Sequence, residues 1–528
     1  MTFWFLFYIM VMKNKIYWLL AIGLCLLATS LTTAAQNAVD DDNFKMSKNL
    51  EIFNSIYRGL DMMYVDTLDA DKVVGTGIQQ MLRSLDPYTV YYSEDNTKDL
   101  RTMLTGKYAG IGALIRYNLK DKCVVIDEPY EGTPAAEAGL KKGDEIISID
   151  DSLMKDKDVA YVSSRLRGDA GTTFVLKIRR PSTGKQMQMK ITRRPIQMPA
   201  IPYYGVERDD IGYICLNSFT EDCAKEFRHA LIDLKNQGIK GLVLDLRGNG
   251  GGSLSEAVKI VNMFVPRGKT VVTTKGKIER ANSEYTTTVE PIDTITPMII
   301  MVNAESASAS EITCGALQDY KRAKLLGTKT FGKGLVQVPI DVPYNGQLKL
   351  TISKYYLPSG RCVQGTGVEP DLEVKADSLP NIVYYLTASG LDSTEVLLNY
   401  EIDYLQKHPT IAPAKDFDLT DEEYDEFKAR VLASGFTYDN QSSKILTEMK
   451  KVMEFEGYYE DAKAEYEALE KKLQHNLARD LDRNKKVLKQ AIVSDLVAAY
   501  YYQKGIIQTA LRNDKQFEKA VEELKNDK

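Results

Sequence analysis

Two uninterrupted apolar runs, each ending in a loop of small residues, restrict the folds open to this chain more than any other feature. Met298 to Val302 is apolar at every position, and Leu242, Val243 and Leu244 run together ahead of Asp245. Runs of this length without polar alternation read as buried parallel strands. After Val302 come Asn303-Ala304-Glu305-Ser306-Ala307-Ser308-Ala309-Ser310, then Ile312, Ala316 and Leu317 at helical spacing. Ahead of Leu242, Ile211 to Leu216 reads as a strand and Glu221 to Leu234 as a helix. Strands that alternate with helices form a largely parallel sheet, which carries its sites at the carboxyl ends of its strands. The serine turn and the loop Arg247 to Gly252 both sit at such ends.

A hydroxyl at the head of a helix, flanked by alanines, is open to a peptide carbonyl, and helix amides can stabilise an oxyanion there. Serines also cap many helices, so the turn alone leaves both readings open. The shortage of other bases shifts the balance. Of three histidines, His408 and His475 lie in a charged helical tail and His229 lies in Glu226-Phe227-Arg228-His229-Ala230, a solvated helix face. That disfavours a Ser-His-Asp relay, and the absence of HExxH disfavours a zinc hydrolase. A lysine can act as base when burial lowers its pKa from about 10.4 toward neutrality. Lys333 has glycines on both sides, Gly332 and Gly334, which let the backbone turn tightly and bring the amine near another loop.

Taken together, Ser306 to Ile312 (SASASEI), Phe331 to Gly334 (FGKG), Gln337 and Leu242 to Gly252 (LVLDLRGNGGG) resemble the carboxyl-terminal processing peptidases, the PDZ-containing Ser-Lys serine peptidases of family S41. The resemblance runs from about Lys48 to Val374. It implies that Ser308 is the nucleophile, Lys333 the general base and Gln337 the residue that orients the lysine. It also places an oxyanion donor in the glycine loop, at Gly251 or Gly252, beside the amide of Ala309. The implied fold is multidomain α/β, α+β overall, with a crotonase/ClpP-like peptidase core. Two nucleotide-binding patterns are incomplete. Gly327 to Gly334 approaches a Walker A loop but has glycine where the Ser/Thr belongs, and a strand-like run follows it. Gly248 to Ser253 misses the last glycine of GxGxxG.

The remaining chain is organised around this core. Its 528 residues suggest three or four domains, and a composition of 44% hydrophobic and 27% charged residues with net charge -5 gives no sign of nucleic-acid binding. Residues 1–35 read as a secretory signal peptide: from Met12, Lys13 and Lys15 precede the apolar stretch Ile16 to Leu27, and Thr33-Ala34-Ala35 precedes Gln36. An exported, periplasmic or envelope location follows. If translation begins at Met1, an uncleaved membrane anchor is the alternative. Residues 36–104 read as helical, with amphipathic helices over Leu50 to Tyr64 and around Val73 to Leu82.

Residues 105–195 read as an inserted PDZ domain. Gly110, Ile111, Gly112 and Ala113 resemble its carboxylate-binding loop, where backbone amides hold a terminal carboxylate and the peptide adds as a strand. The peptidase core follows over 196–378 and a helical region over 379–528, whose roles in bracing, dimerisation or adaptor docking stay open. Thr420 to Glu423 has the form of a capping box. The five cysteines after the signal peptide imply no disulfide framework. No cofactor or metal is expected. The expected partners are proteins or peptides with accessible carboxyl termini, with an adaptor protein and a homo-oligomer left open. The competing function is a non-catalytic PDZ scaffold or holdase.

Overall fold

The computed structural model describes residues 43–94, 97, 107–439, 441–473 and 476–526. The expected signal peptide and His475 lie outside them. The chain divides into two units, one ending at Tyr91 and one beginning at Tyr92.

In the first unit, α1 spans 43–63 and α2 spans Ala70–Arg83. Asp69 starts α2 by accepting a hydrogen bond from the Lys72 amide at 3.1 Å, the ordinary N-cap arrangement. The periodic apolar residues Leu50, Phe53, Ile56 and Met63 of α1 are exposed, not packed as their spacing suggests. The turn at Asp86 is held by its own carboxylate, which accepts from the amides of Tyr88 and Thr89, each at 2.7 Å.

The second unit opens with β1 (Lys107–Gly110), β2 (Ala113–Asn118), β3 (Cys123–Pro129), β4 (Glu145–Ile149), helix α3 (Val159–Leu166), β5 (Thr173–Arg180), β6 (Lys185–Thr192) and β7 (Arg194–Gln197). An antiparallel sheet runs in the order β2-β3-β4-β5-β6, and β1 pairs with β7. Phe174, Leu176 and Ile178 alternate inward along β5 onto Val124, Ile126 and Val162, the period-two burial of a sheet with one covered face. β2 stands at the end of this strand order.

The peptidase-like core contains β8 (Tyr203–Val206), β9 (Ile211–Cys215), α4 (Cys223–Asn236), β10 (Gly241–Asp245), α5 (Leu254–Val261), β11 (Thr270–Gly276), β12 (Ser283–Thr286), β13 (Met298–Val302), α6 (Ala309–Asp319), β14 (Lys324–Gly327), β15 (Leu335–Val342), β16 (Gly346–Tyr356) and β17 (Leu372–Glu373). One sheet has the order β8-β9-β10-β13-β14-β17. Its strands are parallel from β9 onward, with Leu242 beside Met298 and Ile300 beside Leu325. Every residue of β10 and β13 is buried, as continuous apolar runs demand. β15 and β16 form an antiparallel hairpin, and β16 also pairs with β11.

The alternate residues of each central strand enter different cores. Leu242, Leu244, Ile300 and Val302 pack with Phe227, Leu231, Ile260 and Ile312 of α4, α5 and α6. Val243, Ile299 and Met301 face the other way.

The helical tail includes α7 (Val396–Lys407), α8 (Asp421–Ser434), α9 (Lys485–Ala510) and α10 (Lys515–Asn526). It builds its own aromatic core from Tyr400, Tyr404, Phe417, Tyr424 and Phe427. The expected capping box is present: Glu423 accepts from the Thr420 amide at 2.7 Å and its own amide donates to the Thr420 hydroxyl at 3.2 Å. α10 then lays Phe517, Ala520, Val521 and Leu524 against Val243, Ile299 and Met301. The tail therefore covers the second face of the parallel sheet. It also holds the preceding β-domain, through Arg116 with Glu395 and through Lys142 with Glu401 at 3.1 Å. Among the described residues, no helix is long and apolar enough to cross a membrane.

Candidate active site

The turn after β13 is built by its side chains. Asn303 accepts from the amides of Gly248 and Glu305 at 3.0 and 3.1 Å. The hydroxyl of Ser306 donates to the Leu246 carbonyl and that of Ser310 to the Asn249 carbonyl, both at 2.8 Å. The Ala307 amide reaches the same Asn249 carbonyl at 3.0 Å. Ser306 and Ser310 are fully buried, whereas Ser308 between them is half-buried. The outer two serines of SASAS are thus committed to joining the turn to the glycine loop, and the middle one keeps a path to solvent.

Ser308 caps α6 with φ 57° and ψ -112°, a backbone conformation that a non-glycine residue holds only when its surroundings enforce it. Two groups do so. The Glu311 carboxylate accepts from the Ser308 amide at 2.8 Å, and the Tyr355 hydroxyl lies 3.1 Å from the Ser308 carbonyl.

The glycine loop approaches this turn closely enough to require glycine. At Gly251, φ is +99°, and a β-carbon would lie 2.6 Å from the Ala307 carbonyl oxygen and 2.8 Å from the Ser308 β-carbon. The Gly251 amide donates to Asn249 Oδ1 at 2.8 Å, while Asn249 Nδ2 donates to the Leu216 carbonyl at 2.6 Å. Of the two glycines expected to offer an oxyanion amide, Gly251 therefore spends its own inside the loop in this conformation. Gly252 forms a bridge to Phe219.

Lys333 lies in the loop between β14 and β15. The Gly332 and Lys333 amides each donate to Glu311 at 2.8 Å, and the Thr330 hydroxyl does so at 2.7 Å. The Phe331 amide donates to the Ser306 carbonyl at 3.0 Å. Gly334 packs so tightly that a β-carbon there would lie 2.6 Å from the Gln364 amide nitrogen. The Tyr355 hydroxyl also bonds the Lys333 carbonyl. The structure thus brings the backbones of Ser308 and Lys333 together at the carboxyl end of the parallel sheet. No helix follows the loop, as a phosphate-binding loop would require; β15 does. Gln337 sits in β15, where it pairs with Thr351 and donates to that residue's hydroxyl at 3.2 Å.

At the end of β10, Asp245 accepts from the Tyr213 hydroxyl at 2.8 Å and pairs with Arg247 at 2.6 Å. Arg247 extends to Asp514 at 2.6 Å and Gln516 at 2.7 Å, which ties the base of the glycine loop to the start of α10. Four of the thiols, Cys123, Cys215, Cys223 and Cys314, are unsuited to nucleophilic work. All five described cysteines are free, and burial pushes Cys123 and Cys215 up to about 12 and Cys223 and Cys314 higher still. His229 is exposed on α4, and His408 stacks on Tyr404 at the end of α7. Among the described residues, no group of three or more His, Cys, Asp and Glu side chains could hold a metal ion.

In the β-domain, Gly110 ends β1 opposite Arg194, and the Ile111 side chain is buried in the domain core. The Gly112 carbonyl accepts from the Tyr130 amide at 2.9 Å and the Thr133 hydroxyl at 2.8 Å. Ala113 begins β2, which stands at the end of the sheet.

Sequence reasoning missed Glu311, Tyr355 and Asn249. Glu311 carried a readable signal, since Ser308-x-x-Glu311 at a helix start has the spacing of a capping box. Tyr355 carried none, being 47 residues beyond Ser308.

Residues 210–374 match the model of peptidase family S41, residues 125–180 a PDZ domain, and residues 387–524 the C-terminal helical domain of a probable PDZ-protease. The carboxy-terminal-processing protease of Bartonella bacilliformis is 36% identical over 353 residues, covering 66% of this chain and 80% of that protein. A probable CtpA-like serine protease of Staphylococcus haemolyticus is 33% identical over 373 residues, covering 69% and 73%. Among solved structures, a photosystem II D1 C-terminal processing protease matches with 28% identity and TM-score 0.38, covering 62% of this chain and 93% of that one. The chain therefore belongs to the carboxy-terminal-processing proteases of peptidase family S41, serine peptidases that carry a PDZ domain.

Proposed function

We propose that this chain is an exported endopeptidase that takes envelope proteins by their carboxyl termini and cuts them with a Ser308-Lys333 dyad. One observation carries this reading: a single buried carboxylate oxygen, Glu311 Oε2, accepts from both the Ser308 and the Lys333 amide at 2.8 Å. The two amide nitrogens are thus no farther apart than twice that length, which supports a nucleophile and a base supplied by neighbouring loops.

In the proposed reaction the neutral amine of Lys333 takes the Ser308 hydroxyl proton as Oγ attacks the scissile carbonyl. The amide of Ala309, with one from the glycine loop, stabilises the oxyanion. The tetrahedral adduct collapses, the C–N bond breaks, and the lysine returns the proton to the departing amine. Water, deprotonated by the same lysine, then hydrolyses the acyl-enzyme. Gln337 orients the lysine from the strand that follows it. The PDZ module binds the substrate's last residues as a strand beside β2, with the terminal carboxylate at the Gly110 to Ala113 loop.

Ser308→Ala and Lys333→Ala should each lower kcat/KM at least about 1,000-fold while leaving unfolding by urea unchanged. Activity should rise with pH as the lysine loses its proton, and it should survive chelators. New carboxyl termini are to be compared by mass spectrometry after incubating wild type and Ser308→Ala with an envelope protein extract. Wild-type cleavage by Ser308→Ala would remove the serine from the reaction. Capture of proteins without any cleavage by the wild type would favour the scaffold.

A further inference from the structure

We infer that Glu311, seconded by Tyr355, is the positioning residue that sets the spacing of the Ser308-Lys333 dyad; this rests on the proposed dyad. Glu311 is fully buried, and its two oxygens accept four hydrogen bonds. Oε1 takes the Thr330 hydroxyl at 2.7 Å and the Gly332 amide at 2.8 Å, and Oε2 takes the Ser308 and Lys333 amides, each at 2.8 Å. All four donors are neutral, and only an ionised carboxylate offers acceptor capacity on both oxygens with no proton of its own in the way. Its place in the first turn of α6 suits that charge, because the free amides of a helix start carry partial positive charge.

The arrangement goes beyond capping. A capping glutamate bonds the amide of its own N-cap residue. Glu311 does that and also gathers three donors from Thr330 to Lys333, a loop on another strand. The Tyr355 hydroxyl makes the complementary link on the carbonyl side, lying between the Ser308 and Lys333 carbonyls. Ser308 is thereby held at both its amide and its carbonyl in a φ it would not otherwise keep, and the same two groups hold the lysine's backbone. If either loop shifts by about 1 Å, a nucleophile and base lose about 100-fold in rate.

Glu311→Gln tests this with no change of volume. The amide replaces one acceptor oxygen with a donor, so one pair of N–H or O–H groups is left facing N–H. In that variant kcat should fall about 100-fold with KM nearly unchanged, and labelling of Ser308 by a fluorophosphonate should slow in parallel. Glu311→Asp, which keeps both acceptors on a shorter stem, should recover about 10-fold of the loss. Tyr355→Phe should lower kcat with KM unchanged, and it decides the matter if Glu311→Gln does not fold.

Unfolding by urea is followed for each variant. A folded Glu311→Gln enzyme with wild-type kcat overturns the inference, as does Tyr355→Phe with wild-type kcat when Glu311→Gln is unfolded. So does a loss in Glu311→Gln that appears in KM alone, or one that Glu311→Asp does not reduce. Ser308→Ala, assayed alongside, separates the two ideas. If it retains cleavage, the dyad reading fails; if it is inactive while Glu311→Gln is wild type, only the positioning role fails.

Discussion

A single methyl group at Gly251 would meet the Ala307 carbonyl oxygen and the Ser308 β-carbon inside van der Waals contact, at 2.6 and 2.8 Å. Gly251→Ala should therefore push the serine turn away from the glycine loop. We expect a stability loss of at least about 1 kcal/mol, because φ +99° also disfavours alanine, and a fall in kcat of about 100-fold. Steady-state kinetics and urea unfolding check both, and undiminished kcat would mean that this loop does not border the reacting groups. The same residue scale separates the three serines of SASAS. They are identical in type and equally small, yet hydrogen bonds to Leu246 and Asn249 claim Ser306 and Ser310 and leave Ser308. Spacing could nominate the middle serine only through a family resemblance, since the hydrogen bonds that distinguish it reach residues about 60 positions away.

At the scale of elements, the entry to β13 is held by Asp293. Its Oδ1 accepts from the Ile295 and Thr296 amides at 3.0 and 2.9 Å, and its carboxylate pairs with Lys235 of α4 at 3.1 Å and Arg322 at 3.4 Å. Burial alone would raise this carboxyl, but the bonds from Thr296, Ile295 and Lys235 outweigh it and bring it down to about 2. A folded value below the unfolded one means that the contribution is fully present above about pH 4 and is lost as pH falls to about 2. Asp293→Asn should thus cost about 2 kcal/mol at neutral pH, and its difference from wild type should shrink through that acid window in urea unfolding.

Element identities in this region were legible because buried strands and amphipathic helices have different periods. Their ends were less so. α4 starts at Cys223, two residues later than its apolar spacing suggests, because Asp222 before it takes a left-handed φ of 68°.

For the whole molecule, the decisive element is α10. Phe517 is fully buried against the sheet and meets Tyr213 edge-on at 5.6 Å. Phe517→Ala should destabilise the peptidase core by about 3–5 kcal/mol, measured by urea unfolding, and removal of residues 511–528 should expose an apolar sheet face and reduce solubility. A cost below about 1 kcal/mol would show that the tail does not brace the sheet. What the amino-acid order determined by itself is local: which segments are strands and helices, the parallel class of the central sheet, and the three motifs that point to a serine peptidase. The elements and the sheet class follow from hydrophobic period, whereas the motifs point to a serine peptidase only through their resemblance to a known family. The tertiary structure alone decided what covers the second face of the sheet, which loop amides are already spent, and that Glu311 and Tyr355 clasp the two loops together. Contacts between residues tens to hundreds of positions apart leave no period in a sequence, because they depend on where whole elements pack.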